Sequence, residues 1–147
     1  MPERIFISYA SEDRAFAQEL FLALKARGFD PWMDKPPAPH HAEGILPGQD
    51  WRARITAEVH NADKMILILS PISVEKVGYV QREFRLALDV MNGLPPGRLF
   101  AIPVLKEPCD VPNLLVGSVA LADLQWAEIY NGGIDQFIDT LQVAGHA

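Results

Sequence analysis

The apolar positions of this chain take turns between short continuous runs and helical stripes. Arg4-Ile-Phe-Ile-Ser-Tyr9 is a brief run of β-formers, and Lys64-Met-Ile-Leu-Ile-Leu69 is the clearest central strand. Phe29–Met33 reads as a second strand, which Pro31 assigns to a sheet edge because proline cannot donate to a ladder. Leu99–Val104 is a further strand, followed by a weaker stretch around Asn113–Leu115 and by Val119–Leu121. Between these runs the period lengthens. Ser11 offers an N-cap, with Glu12 and Asp13 in the first turn, where the helix dipole favours acids. Phe16, Leu20, Ala23 and Leu24 form the stripe of that helix, and Arg27-Gly28 stops it. Asp50 caps a second helix whose buried positions are expected to be Trp51, Ile55 and Val59. A last helix is expected from Ile134 to Val143. Residues 35–47, KPPAPHHAEGILP, form a proline-rich loop without a period.

Five candidate strands alternating with helices predict an α/β domain of flavodoxin-like type, a three-layer sandwich around a five-stranded parallel sheet. The whole of 1–147 reads as one such domain, and an end just after the last helix leaves room for a sensor or oligomerisation domain in a longer protein. Sheets of this kind bind ligands outside the carboxyl ends of their strands. Tyr9, Asp34 and Ser70 each follow a strand end directly, so they are expected to share that rim.

One helix carries a residue that does not fit its face. In Gly78-Tyr-Val-Gln-Arg-Glu-Phe-Arg-Leu-Ala-Leu-Asp-Val-Met91, a step of roughly 100° per residue gathers Gln81, Arg82, Arg85 and Asp89 into a wet face. Glu83 falls in the opposite arc, among Tyr79, Val80, Ala87 and Val90. An unpaired buried carboxylate is costly. By helix geometry alone, Glu83 is an ion-paired buried acid, an acid whose stem packs while its head reaches water, or an acid facing a ligand cleft.

Composition narrows the chemistry. A formal charge of −6 gives no support to a nucleic-acid or anionic-membrane partner, since both call for a basic face. The single cysteine, Cys109, excludes an internal disulfide and a cysteine-rich zinc spacing. The start lacks the plan of a signal peptide and no apolar run approaches the length of a membrane span, so a cytoplasmic protein is expected. No GxGxxG, GxxxxGK[ST] or GxSxG occurs. His40 and His41 are adjacent, which does not suit a shared metal, and they read as solvated loop residues. No metal and no cofactor is expected.

Taken in order, RIFISYASEDRAFAQELFLALKARGFDPWMD, LPGQDW, KMILILSP and SVEKVGYVQREFRLAL resemble the landmarks of a Toll/interleukin-1 receptor (TIR) domain, particularly the bacterial kind. The likeness runs from Arg4 to about Val104. It implies the same flavodoxin-like sheet, and two functions: assembly with other TIR domains, and cleavage of NAD+ at the nicotinamide–ribose bond. NAD+ would be a substrate, with no cofactor needed.

By this resemblance Glu83 takes the position of the catalytic glutamate, and Tyr79 that of the aromatic residue four positions before it, usually a tryptophan. Tyr9, Asp34 and Trp51 take the positions of substrate-binding residues. Trp51, Asp34 and Ser70 also have plainer readings: Trp51 as a core anchor for its helix, Asp34 as a loop cap, Ser70 as a turn-former. The chain also departs from the pattern. Ala10 stands where some NAD-cleaving members carry a basic residue, Tyr79 offers a smaller ring, and the loop from Lys35 to Pro47 is longer and richer in proline. The expected function is that of an NAD+ hydrolase or cyclase, activated by self-association, in bacterial antiphage defence or signalling. The alternative is a non-catalytic TIR–TIR interaction module, an adaptor or a mimic of host TIR domains.

Overall fold

The computed structural model describes residues 2–75, 85, 93, 100–111, 115–116, 119–120 and 124–145. Glu83, Tyr79 and most of the helix expected over 78–91 lie outside the described residues; Arg85, on its wet face, is helical and exposed.

Strand β1 (Arg4–Ser8) leads through a 3-10 turn at Ser11–Asp13 into helix α1 (Arg14–Ala26). Ser11 is not the N-cap of this helix. The helix proper begins three residues later, after Asp13, which makes no side-chain cap bond because its carboxylate is turned inward. Gly28, at φ +89°, takes the left-handed conformation that ends α1. Strand β2 (Asp30–Trp32) follows. Asp50 caps helix α2 (Trp51–Asn61) as expected, accepting from the amides of Arg52 and Ala53 at 3.1 and 3.3 Å. Strand β3 (Lys64–Leu69) is buried at all six positions and runs into helix α3 (Pro71–Glu75). Beyond lie β4 (Ala101–Leu105), β5 (Leu115–Val116), β6 (Val119–Ala120), β7 (Ala127–Glu128) and helix α4 (Gly133–Gly145).

The main sheet has five strands in the order β2-β1-β3-β4-β7, every neighbouring pair parallel. This is a flavodoxin-like α/β fold, with β2 at the edge that Pro31 requires. Val119–Leu121 is not its fifth strand. Val119–Ala120 pairs antiparallel with Leu115–Val116 in a separate two-stranded sheet, and the fifth position belongs to β7. Pro103 accounts for the shortness of β7. Phe100 and Lys106 bond to β3, so the even-numbered residues of β4 face that strand and the odd ones face β7. Pro103 is odd and has no N–H, and β7 begins only opposite Val104.

Alternating side chains of the sheet feed two cores. Ile5, Ile7, Ile66, Ile68, Ile102 and Val104 pack with Leu20, Phe21 and Leu24 of α1 and Phe137, Ile138 and Leu141 of α4. Phe6, Met65, Leu67, Leu69, Ala101 and Leu105 pack with Ile55 and Val59 of α2. Helices therefore cover both faces, and the three layers follow from the period-two pattern of a strand buried on both sides.

Candidate functional site

The chain leaves β1 toward β2 on one side and places β3 on the other, so the topological switch lies between β1 and β3. At the carboxyl end of β1 sits Tyr9, buried, with its ring in the core beneath α1. Its hydroxyl donates to Asp34 Oδ1 in a very short hydrogen bond. Burial first, then the neighbouring Asp34 carboxylate, pushes the Tyr9 phenol far above its ordinary range, with Arg14 opposing weakly. Tyr9 therefore keeps its proton and donates it to Asp34. The two residues meet as the sequence implies, and Asp34 does more than cap its loop.

Among the described residues, two buried polar atoms have no hydrogen-bond partner: the hydroxyl Oγ of Ser8, at the last position of β1, and Nε of Arg14, at the first of α1. Sequence reasoning passed over both. Ser8 looks like one more residue of a strand, and Arg14 like a solvated helical residue.

Ser70, also expected on the rim, donates its hydroxyl to Asp13 Oδ2 at 2.7 Å. Its partner went unrecognised because an acid near a helix start looks like a dipole-stabilising residue. Trp51 departs from expectation. It is 40% exposed, whereas Ile55 and Val59 are buried, so it is not a core anchor. It occupies the first helical position, and the Arg52 guanidinium lies 5.2 Å from its ring centroid.

The proline-rich loop is bound to the body of the domain. Glu43 accepts from Lys25 Nζ at 2.8 Å and meets His40 Nδ1 at 2.5 Å, and its carbonyl takes the Trp32 indole N–H at 2.9 Å. Lys25 above all holds the Glu43 carboxyl below the usual range, against some desolvation and with His40 assisting. His40 is thus an anchor of the loop, packed 5.4 Å from the Phe21 ring, and not merely solvated; His41 is exposed. The Ile45 amide returns to the Asp34 carbonyl at 2.9 Å. Gly44 fits there because a Cβ would come within 2.3 Å of that carbonyl oxygen.

Among the described residues there is no cluster of three or more His, Cys, Asp and Glu side chains able to hold a metal, and no helix long and apolar enough to cross a membrane. The rim offers the Asp34 carboxylate, held by Tyr9, and a partly exposed indole. Such a set suits a polar ligand with an aromatic ring and hydroxyls. No curated protein matches the chain significantly. The family model described as "TIR domain" matches residues 5–142. That span takes in both cores and all five strands of the sheet, and the chain belongs to the TIR domain family.

Proposed function

We propose that this TIR domain is an NAD+ nucleosidase of the bacterial kind, cleaving the nicotinamide–ribose bond when self-associated, in antiphage defence or signalling. TIR domains include NAD+ hydrolases and non-catalytic adaptors, so membership alone does not choose between them. The observation that carries the enzymatic reading is the Tyr9–Asp34 hydrogen bond at the carboxyl ends of β1 and β2, beside the switch point where sheets of this kind bind ligands. A domain that works only through its outer surface has no need of a tyrosine and an acid fixed to each other at that place. The adaptor reading draws instead on exposed apolar side chains such as Leu46 and Ile72.

In the proposed reaction the C1′–N bond of NAD+ breaks and its electron pair stays with nicotinamide, which departs neutral. No acid is needed to protonate this leaving group, unlike the two-carboxylate arrangement of O-glycosidases. Glu83 opposes the positive charge that develops on the ribose. Water then adds at C1′ and releases a proton, giving ADP-ribose; capture by a nucleophile within the same molecule gives a cyclic isomer. Asp34 accepts from a ribose hydroxyl, and Trp51 stacks on a ring of the nucleotide. The test is incubation with NAD+, with and without a crowding agent, assayed for free nicotinamide. Release that increases with crowding is expected, and none under either condition would sink the enzymatic reading.

Trp51 supplies a narrower expectation. Because the indole is substantially exposed, Trp51→Ala should shift Tm by no more than a few degrees, as a surface substitution does. It should raise KM for NAD+ several-fold, and Trp51→Phe should raise it less, because a phenyl ring keeps a π face. Equal KM effects from the two variants would argue for a role in indole volume rather than stacking.

A further inference from the structure

Asp13 is only 2% exposed. A carboxylate at such depth costs several kcal/mol unless it is paired, so its partners say what the fold uses it for. Oδ2 takes the Ser70 hydroxyl at 2.7 Å, and Oδ1 faces Lys106 Nζ at 3.4 Å. The three residues stand just after β1, β3 and β4, adjacent strands of the sheet. Main-chain bonds support the same junction: Asp13 N–H donates to Ala10 O at 2.8 Å, and Lys106 N–H to Leu69 O at 2.9 Å. Ser70 is where the chain turns from β3 into α3, its carbonyl accepting from Val74 N–H at 3.1 Å. The charge of Asp13 also reaches Cys109, whose thiol is pushed up by burial first and then by Asp110, Glu107 and Asp13. One buried acid therefore gathers three neighbouring loops of the rim.

We propose that Asp13 is a positioning residue, fixing the direction in which the chain leaves β3 toward the segment that carries Glu83; the proposal rests on the NAD+-cleaving reading above. The rim divides by element. Tyr9, Asp34 and Trp51 belong to β1, the end of β2 and α2, which hold substrate. Glu83 follows β3 and acts on the bond that breaks. Loosening the Asp13 junction is therefore expected to act mainly through Glu83, because the chain leaves β3 at Ser70, whereas the Tyr9–Asp34 hydrogen bond does not include Asp13.

The test uses Asp13→Asn, nearly isosteric but uncharged, and Ser70→Ala, which removes one arm of the junction and spares the buried charge. A misplacement near 1 Å can cost roughly 100-fold in rate, so a fall in kcat of about 10- to 100-fold is expected for Asp13→Asn, with KM for NAD+ within about twofold. Ser70→Ala should change kcat in the same direction by less. Hydrogen exchange should quicken at the amides of 70 and 72–75 in both variants and stay unchanged at 4–8 and 64–69. Unchanged kcat with unchanged exchange at 70 and 72–75 would overturn the proposal. So would a general loss of protection in both variants, or a rise in KM equal to the fall in kcat. If the wild-type protein releases no nicotinamide, the NAD+ reading falls, and the exchange pattern alone decides whether Asp13 fixes the exit from β3.

Discussion

Replacing Glu83 by alanine is expected to reduce nicotinamide release by about 100-fold or more, the scale on which a preorganised electrostatic contact to the transition state is lost. Glu83→Gln should fall nearly as far, because it keeps the shape and removes the charge that faces the ribose. Tm should remain near that of the wild type or rise, since an acid retained among apolar neighbours for chemistry is a burden on the fold. Activity and melting measured on the same preparations separate the explanations of this residue. A buried acid paired with an arginine would cost about 3–5 kcal/mol when truncated. Retained turnover in assembled Glu83→Ala protein would remove it from the mechanism.

The second large effect is one of concentration. In the proposed self-associated enzyme, the loop after β2 of one protomer is expected to help close the site of its neighbour. The net charge of −6 opposes close approach, and this repulsion reaches about 10 Å at 0.1 M salt. Nicotinamide released per protomer should therefore rise with protein concentration, and rise further under screening or crowding. Leu46, 41% exposed, is the apolar side chain to change: Leu46→Asp should flatten the concentration dependence and leave Tm in place. Ile45 is a poor probe, because it packs against the core beneath α2 and its loss would weaken the fold itself. A dilution series paired with light scattering reads both quantities, and constant activity per protomer from a strictly monomeric sample would refute the scheme.

How much could be read in advance differed from element to element for physical reasons. β3 was plain because six consecutive buried positions leave little room for any other structure. The edge position of β2 was plain because one proline excludes the interior of a sheet. β7 was not, for Ala127 and Glu128 show neither an apolar run nor alternation, and its extent is limited by Pro103 on another strand. Trp51 misled because helical spacing with Ile55 and Val59 records direction around an axis but not whether the first turn is covered. The Tyr9–Asp34 meeting was legible from strand ends alone. The Asp13–Ser70–Lys106 junction was not, since its members lie far apart in sequence and each has an ordinary local explanation.

The bond from the Ile45 amide back to the Asp34 carbonyl closes the proline-rich loop at its base. The neck, with Gly44 seated against Asp34, sets where that acid stands; the exposed crest at Ala38 and Pro39 does not. Loop length is thereby decoupled from the placement of Asp34. Doubling a flexible loop costs only about 0.6 kcal/mol in closure entropy, so residues can be added or removed at the crest without moving the acid below. Under the proposed function, this segment would be free to change the partner it docks while the chemistry below stays fixed, a division that would let recognition diversify faster than catalysis.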